Sequence, residues 1–411
     1  MKFIVFGVKN KMFNEKQFNN LNTQLYYKDP KYYFDFASTT PVYKSVVDNV
    51  MEVMKNNFGN PSSLTETGIT AQNVIKESTN KIKKILACAN YELFYTSGAT
   101  ESNNWVANLI SVGDTVITTG FEHPSVINSI ISRKANIVYF SPNADGKFDI
   151  QALESLIETK KPKLVSIMGV NNETGLVLPI YEIARVCKNK TLLHCDITQL
   201  IPHCLINCDK CGCDFYTFSG HKFGAPKGIG ALLVKQSKEK VLPSMIFGGH
   251  QQKSKRAGTE NTPYISAMAV ALAETVELTK KYNAVIEAYK NYFITNIKNN
   301  LINTKTNCII INDKENEDVL FLPNIINICF QNINGYTLMK MLDLQGITVS
   351  TGSSCSADTD YTSPALEVLQ IPEDYIHGSI RVSLGFGVTK NAIDFLIEKI
   401  IQIIKQLENM E

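Results

Sequence analysis

From residue 93 to residue 234, apolar stretches of strand length alternate with longer amphipathic stretches, and this alternation limits the fold more than any other feature. The pattern predicts strands over 93–96, 115–119, 164–168, 192–195, 215–218 and 230–234, with helices over 101–110, 125–131 and 180–187 between them. Repeated β-α-β units close on themselves as a mostly parallel sheet covered on both faces, an α/β architecture. Beyond about 262 the pattern changes. A helical stretch over 265–298 leads to predicted strands over 307–312, 324–330 and 380–383, with helices over 335–344 and 391–407. The expected division is an N-terminal extension (1–30), a large domain (43–280) and a smaller α+β domain (31–42 with 281–411).

Charge narrows the function classes. The 41 basic and 39 acidic residues leave a net charge of +2, which gives no reason to propose nucleic acid or an anionic membrane as a partner. No apolar run approaches the ~20 residues that span a bilayer. Ten cysteines in 411 residues are too sparse for a disulfide scaffold and read as reduced thiols in a cytoplasmic setting. Lys2, Lys9 and Lys11 precede the first acidic residue, Glu15, so a mitochondrion-like organelle is the alternative address; the absence of arginine there argues against a leader.

In open α/β sheets, ligands sit beyond the carboxyl ends of the strands. His123, Asn172, Asp196 and Lys222 each follow a predicted strand and so share one rim. Lys222, in Ser219-Gly220-His221-Lys222, reads as a Schiff-base lysine, with Ser219 and His221 as flanking phosphate donors; Lys227 is its rival. The turn Ser97-Gly98-Ala99-Thr100 opens a helix, whose free N–H groups and the Thr100 hydroxyl suit a phosphate, or which Thr100 simply caps. Asp196 at a strand end needs a cation, such as a protonated pyridine nitrogen, or else caps the next helix. Gln199, one short turn later, can reach a ring hydroxyl. His123 is held at a strand-to-helix corner by Pro124, where it can stack on an aromatic cofactor and move protons, or serve structure alone. Arg381, inside an apolar strand, suits a carboxylate or an inter-strand salt bridge. Cys355, among small residues in Gly352-Ser353-Ser354-Cys355-Ser356-Ala357, reads as a travelling nucleophile. Cys204, Cys208, Cys211 and Cys213 include a Cys-x-x-Cys spacing; the readings are a zinc site or core thiols, and the second is preferred.

In this order, the motifs resemble the NifS/IscS cysteine desulfurases, class V of the fold-type-I pyridoxal-phosphate enzymes. The resemblance runs from about Tyr32 to the C-terminus and includes Phe34-Asp35-Phe36-Ala37-Ser38-Thr39-Thr40-Pro41, Phe58-Gly59-Asn60-Pro61-Ser62-Ser63, Asn171-Asn172-Glu173-Thr174-Gly175 and Arg256-Ala257-Gly258-Thr259-Glu260-Asn261. It implies a homodimer in which Lys222 holds pyridoxal 5'-phosphate and His123 stacks on the ring. Asp196 then pairs with the pyridine nitrogen and Gln199 with the ring hydroxyl. Ala99, Thr100, Ser219 and His221 bind the phosphate, joined by Thr259 of the partner subunit. Asn172 and Arg381 hold the carboxylate of L-cysteine, and Cys355 takes its sulfur for an acceptor protein, a scaffold or thiolation factor. No metal is implied. Departures fall in loops: Thr65 replaces a histidine of many relatives, and His250 and Ser254 stand where glycine is common. The end at Glu411, short of the tail by which IscS-type relatives meet scaffolds, bears on docking to that kind of partner. A selenocysteine lyase, for which Cys355 would be largely dispensable, and a class-V aminotransferase, which needs no catalytic cysteine, are the rival enzymes. A non-catalytic binding protein is the rival of another class, and the intact polar set speaks against it.

Overall fold

The computed structural model describes residues 21–204, 206–313, 318–351 and 362–410. A seven-stranded sheet is built from β1 (Tyr91–Thr96), β2 (Thr115–Thr118), β3 (Asn136–Tyr139), β4 (Leu164–Met168), β5 (Leu192–Asp196), β6 (Phe215–Ser219) and β7 (Gly230–Lys235), in the order β1-β7-β6-β5-β4-β2-β3. Within it only β7 is antiparallel to its neighbours, β6 and β1. The strands β4 and β6 are buried along their whole length, which is why they read as continuous apolar runs rather than alternating ones.

Helices before and between the strands supply the covering layers: α1 (Lys44–Asn56), α2 (Glu66–Ile85), α3 (Ala99–Ala107), α4 (Pro124–Ser132), α5 (Ile150–Lys160) and α6 (Ile180–Cys187). The sequence pattern passes over α1, α2, β3 and α5. β3 is a four-residue edge strand with exposed ends, too short and too wet to show periodicity. α5 is marked by its cap, since the Asp149 carboxylate accepts the N–H groups of Gln151 and Ala152.

A 40-residue helix, α7 (Thr262–Leu301), starts at an Asn261 cap with Pro263 in its first turn. It packs on α1 and α2 and also on the last helix, α9 (Lys390–Glu408). A three-stranded sheet follows, ordered β10 (Ser379–Ser383), β9 (Ile325–Phe330), β8 (Cys308–Ile310), with α8 (Gly335–Leu344) and α9 beside it. The predicted strand over 307–312 stops early, at Ile310, where a 3-10 turn takes over. The short helix Leu21–Leu25 is tied down: Leu21, Leu25 and Tyr26 are buried, and the Tyr26 hydroxyl donates to the Phe386 carbonyl at 3.3 Å.

Cys204, Cys208, Cys211 and Cys213 pack in the core. Burial pushes the Cys204 thiol up to about 12. Cys211 and Cys213 place their sulfurs 3.8 Å apart. Among the described residues no group of three or more His, Cys, Asp or Glu has metal-ligating geometry. No helix among them is long and apolar enough to cross a membrane.

Candidate active site

The carboxyl ends of β1, β2, β4, β5 and β6 open onto one cavity of about 460 Å³. Ala99, Thr100, His123, Asn172, Asp196, Gln199, Ser219, His221, Lys222 and Arg381 all line it. Thr259 is exposed and is not among the lining residues. Cys355 lies outside the described residues.

At one end of the cavity, α3 begins at Gly98, which carries no side-chain cap. The first N–H groups of the helix, with its positive dipole end, therefore face the opening beside the Thr100 and Ser219 hydroxyls and the His221 ring. Glu101 folds back to accept the Ser97 N–H at 2.8 Å and pairs with Arg256 at 3.0 Å. Burial, with Lys222 next to it, pushes His221 down to about 4, so its ring is neutral. The turn is packed tightly from behind: a Cβ on Gly230 would stand 2.7 Å from Gly98 Cα and 2.8 Å from the Phe218 carbonyl oxygen. Gly230→Ala is therefore expected to cost ~1–3 kcal/mol and to push this turn out of place. Thermal unfolding alongside a cofactor-binding titration checks it; an unchanged Tm with unchanged affinity would show that the turn absorbs the methyl.

Across the cavity floor, the Asp196 carboxylate is oriented by two donors, Asn103 Nδ2 at 2.9 Å and the Thr198 N–H at 3.0 Å. Asn103 is buried and also donates to Ser125 Oγ at 2.9 Å. Sequence reasoning assigned it no role; its signal was a polar residue one helical turn after the phosphate-site threonine, on the inward face of α3. Ser125 in turn donates its backbone N–H to His123 Nδ1 at 3.1 Å. A ring whose Nδ1 accepts carries its neutral-state proton on Nε2, an assignment from the hydrogen bond. Burial holds the His123 pKa below its ordinary value, against the pull of Asp196. Thus one chain of contacts links Asp196, Asn103, Ser125 and His123.

Lys222 sits in the 3-10 turn after β6, and its Nζ donates to the carbonyls of Ala37 (2.7 Å) and Ser38 (2.8 Å). Burial, helped by the Arg381 charge, lowers its pKa to about 8. Lys227 also lines the cavity but stands at the turn before β7. The segment 37–40 straps this corner. Gln199 Nε2 donates to the Ala37 carbonyl at 2.6 Å, and the Thr40 N–H and hydroxyl both donate to the His221 carbonyl at 2.9 Å.

Arg381 is 2% exposed and fully engaged on one side: Nη2 donates to Asp35 Oδ1 (2.7 Å) and Ser38 Oγ (2.7 Å), and Nη1 to the Asn172 carbonyl (2.9 Å). The salt bridge weighed from the sequence is thus present, with Asp35, a residue to which the sequence reading gave no role. Yet Arg381 Nε is buried without a partner, and Asn172 lines the cavity beside it, so the corner keeps unused donor capacity.

This donor set suits a phosphorylated pyridine aldehyde. An uncapped helix start with hydroxyls takes the phosphate, an oriented carboxylate faces a ring nitrogen, and an amine of lowered pKa faces the aldehyde.

A family model described as aminotransferase class-V matches residues 32–396. The cysteine desulfurase IscS of Dictyoglomus turgidum is 34% identical over 388 residues, covering 92% of this chain and 95% of its own. The mitosomal cysteine desulfurase of Trachipleistophora hominis is 32% identical over 396 residues, covering 92% of this chain and 87% of its own. Among solved structures, a NifS-like protein superposes with a TM-score of 0.81 at 30% identity, over 91% of this chain and 99% of that one. A NifS-like protein from Rickettsia africae gives 0.79 at 30% identity, over 91% and 99%.

Proposed function

The chain belongs to the class-V aminotransferase family as a pyridoxal-phosphate-dependent cysteine desulfurase of the NifS/IscS type, and on that premise we propose that it converts L-cysteine to L-alanine and carries the released sulfur as a persulfide on Cys355. The observation that most supports this reading is the convergence of Lys222, Asp196, His123 and Arg381 on one cavity at the strand ends.

When bound, pyridoxal phosphate supplies the electron sink that weakens bonds at the substrate α-carbon and beyond it. The α3 N-terminus, Thr100, Ser219 and His221 hold its phosphate, and Thr259 of a second subunit completes that site. Asp196, kept in place by Asn103, pairs with the ring nitrogen and keeps it protonated. Gln199 bonds the ring hydroxyl, and His123 stacks on the ring face. Lys222 Nζ would anchor the aldehyde and is the amine placed to move the substrate's α-proton. Asn172 and Arg381 orient the substrate carboxylate. The Cys355 thiolate bonds to the substrate sulfur as the carbon–sulfur bond breaks. That electron pair goes to carbon, which takes up a proton and leaves as alanine. His123 Nε2 moves protons for the attacking and leaving sulfurs. The persulfide then passes to an acceptor protein, for iron–sulfur cluster assembly or thiolation.

The proposed assembly is a homodimer. Its support is the position of Thr259, exposed on a loop whose Arg256 is tied to Glu101 at the phosphate end, and the exposed Phe247 earlier in that loop. The proposed compartment is the cytoplasm, with a mitochondrion-like organelle as the alternative. After a brief exposure of the holoenzyme to L-cysteine without reductant, mass analysis should find the Cys355 peptide one sulfur atom heavier. An unmodified Cys355 peptide, with sulfur on another cysteine or free, would refute the assignment.

A further inference from the structure

We infer that Glu173 is a positioning residue for sulfur transfer, acting through Ser363 to fix where the Cys355-bearing stretch rejoins the fold. The inference rests on the reading of Cys355 as the sulfur acceptor. Residues 352–361 run between two described ends, and both ends are tied to the same wall of the cavity. Upstream, the Ser350 N–H donates to the Arg381 carbonyl at 3.2 Å, and the Arg381 N–H donates to the Ser350 carbonyl at 2.6 Å. Downstream, Ser363 Oγ donates to Glu173 Oε2 and accepts the Leu366 N–H at 3.3 Å. One hydroxyl therefore caps the short helix Pro364–Val368 and binds Glu173 together.

Glu173 belongs to a turn that the fold holds firmly. Asn171 is buried, and its Oδ1 accepts the N–H groups of Glu173 (3.0 Å) and Thr174 (2.8 Å). Between them, Asn172 gives its carbonyl to Arg381 and lines the cavity. The turn that presents a substrate-facing residue thus also anchors the far end of the cysteine stretch. A half-buried carboxylate is costly without a partner, and Ser363 supplies one. Burial pushes Glu173 up to about 7, against the pull of Ser363 and Arg381, so the contact depends on an acceptor oxygen more than on full charge. A thiolate that must meet a substrate sulfur is sensitive to about an ångström, a misplacement worth ~10²-fold in rate.

The test uses the holoenzyme and L-cysteine, with Glu173→Ala, Glu173→Gln, Ser363→Gly and Cys355→Ala beside wild type. Glu173→Ala is expected to lower kcat ~10-fold or more, with KM for L-cysteine and the cofactor spectrum nearly unchanged. Glu173→Gln keeps an acceptor oxygen and should restore most of kcat. Ser363→Gly removes the hydroxyl that Glu173 accepts, at a cap position that glycine tolerates, so it should reproduce the Glu173→Ala loss even if that variant folds poorly. A kcat within about twofold of wild type in both Glu173→Ala and Ser363→Gly overturns the inference. So does a loss confined to KM, or one that glutamine does not rescue. Cys355→Ala separates the two failures: if it still releases alanine, the acceptor reading falls first, and if it is inactive while the other variants are active, only the role of Glu173 falls.

Discussion

Lys222→Ala is expected to lower L-cysteine turnover by ~10³-fold or more while leaving the fold intact. Its Nζ is the amine that the cavity lining sets among Asp196, Arg381 and the 37–38 carbonyls. The Ala37 carbonyl keeps its bond from Gln199 Nε2, and the Ser38 carbonyl, on a half-buried residue, is left to water, so little stability is lost. The same amine predicts a pH dependence for cofactor uptake by the apoenzyme. Only the neutral amine reacts with an aldehyde. With a pKa lowered to about 8, roughly a tenth is neutral at pH 7, against less than about one in a thousand for an unperturbed lysine. The rate of reconstitution should therefore climb as pH rises from 6 to 8 and level off above. Stopped-flow absorbance of apoenzyme with pyridoxal phosphate measures it. A rate still rising steeply above pH 9 would show that burial does not depress this lysine.

Asp196→Asn should keep the cofactor and lose the chemistry, by about 10²-fold or more in kcat. The amide is close in shape and can keep the Thr198 contact, but it carries no charge to hold a pyridine nitrogen protonated. Asn103 Nδ2 would then face either oxygen or nitrogen, depending on how the new amide turns. The variant should bind cofactor through Lys222 with a shifted absorption spectrum, and alanine release should fall. Turnover within a few-fold of wild type would remove Asp196 from the account. Asn103→Ala should give a milder version of the same loss, because it leaves the carboxylate in place but free to rotate.

Much of the site was legible because strand-end chemistry leaves a strong mark. A polar residue within a few positions of the end of a run such as Leu164–Met168 or Phe215–Ser219 interrupts an otherwise apolar text, and open α/β sheets put such interruptions on one rim. Asn172, Asp196 and Lys222 were found that way. Asn103 was harder to assign, because a polar residue in an amphipathic helix usually faces water and no spacing rule shows that it turns inward to a carboxylate. Asp35 was hidden for another reason. It lies 346 residues from Arg381, and only the fold reveals their ion pair. Histidine shows the limit from the other side. His194, inside β5, is a buried core residue held between Ser166 and Thr217, and only its place within the strand, rather than after it before a proline, separates it from His123. In the smaller sheet, β9 was legible as an apolar run and β10 by the alternation of Ile380 and Val382 with polar residues. β8 was read too long because Ile311 and Asn312 extend the pattern while the backbone already turns.

The most direct test of the central claim is the release of alanine and sulfide from L-cysteine, with thiol reductant present, by wild type and by Cys355→Ala loaded with cofactor. Wild type should release the two products in equal amounts. Cys355→Ala should keep the cofactor spectrum and release neither. Alanine released by Cys355→Ala at the wild-type rate would mean that sulfur does not pass through Cys355, and a fully loaded wild type that releases no alanine would contradict the proposed reaction itself.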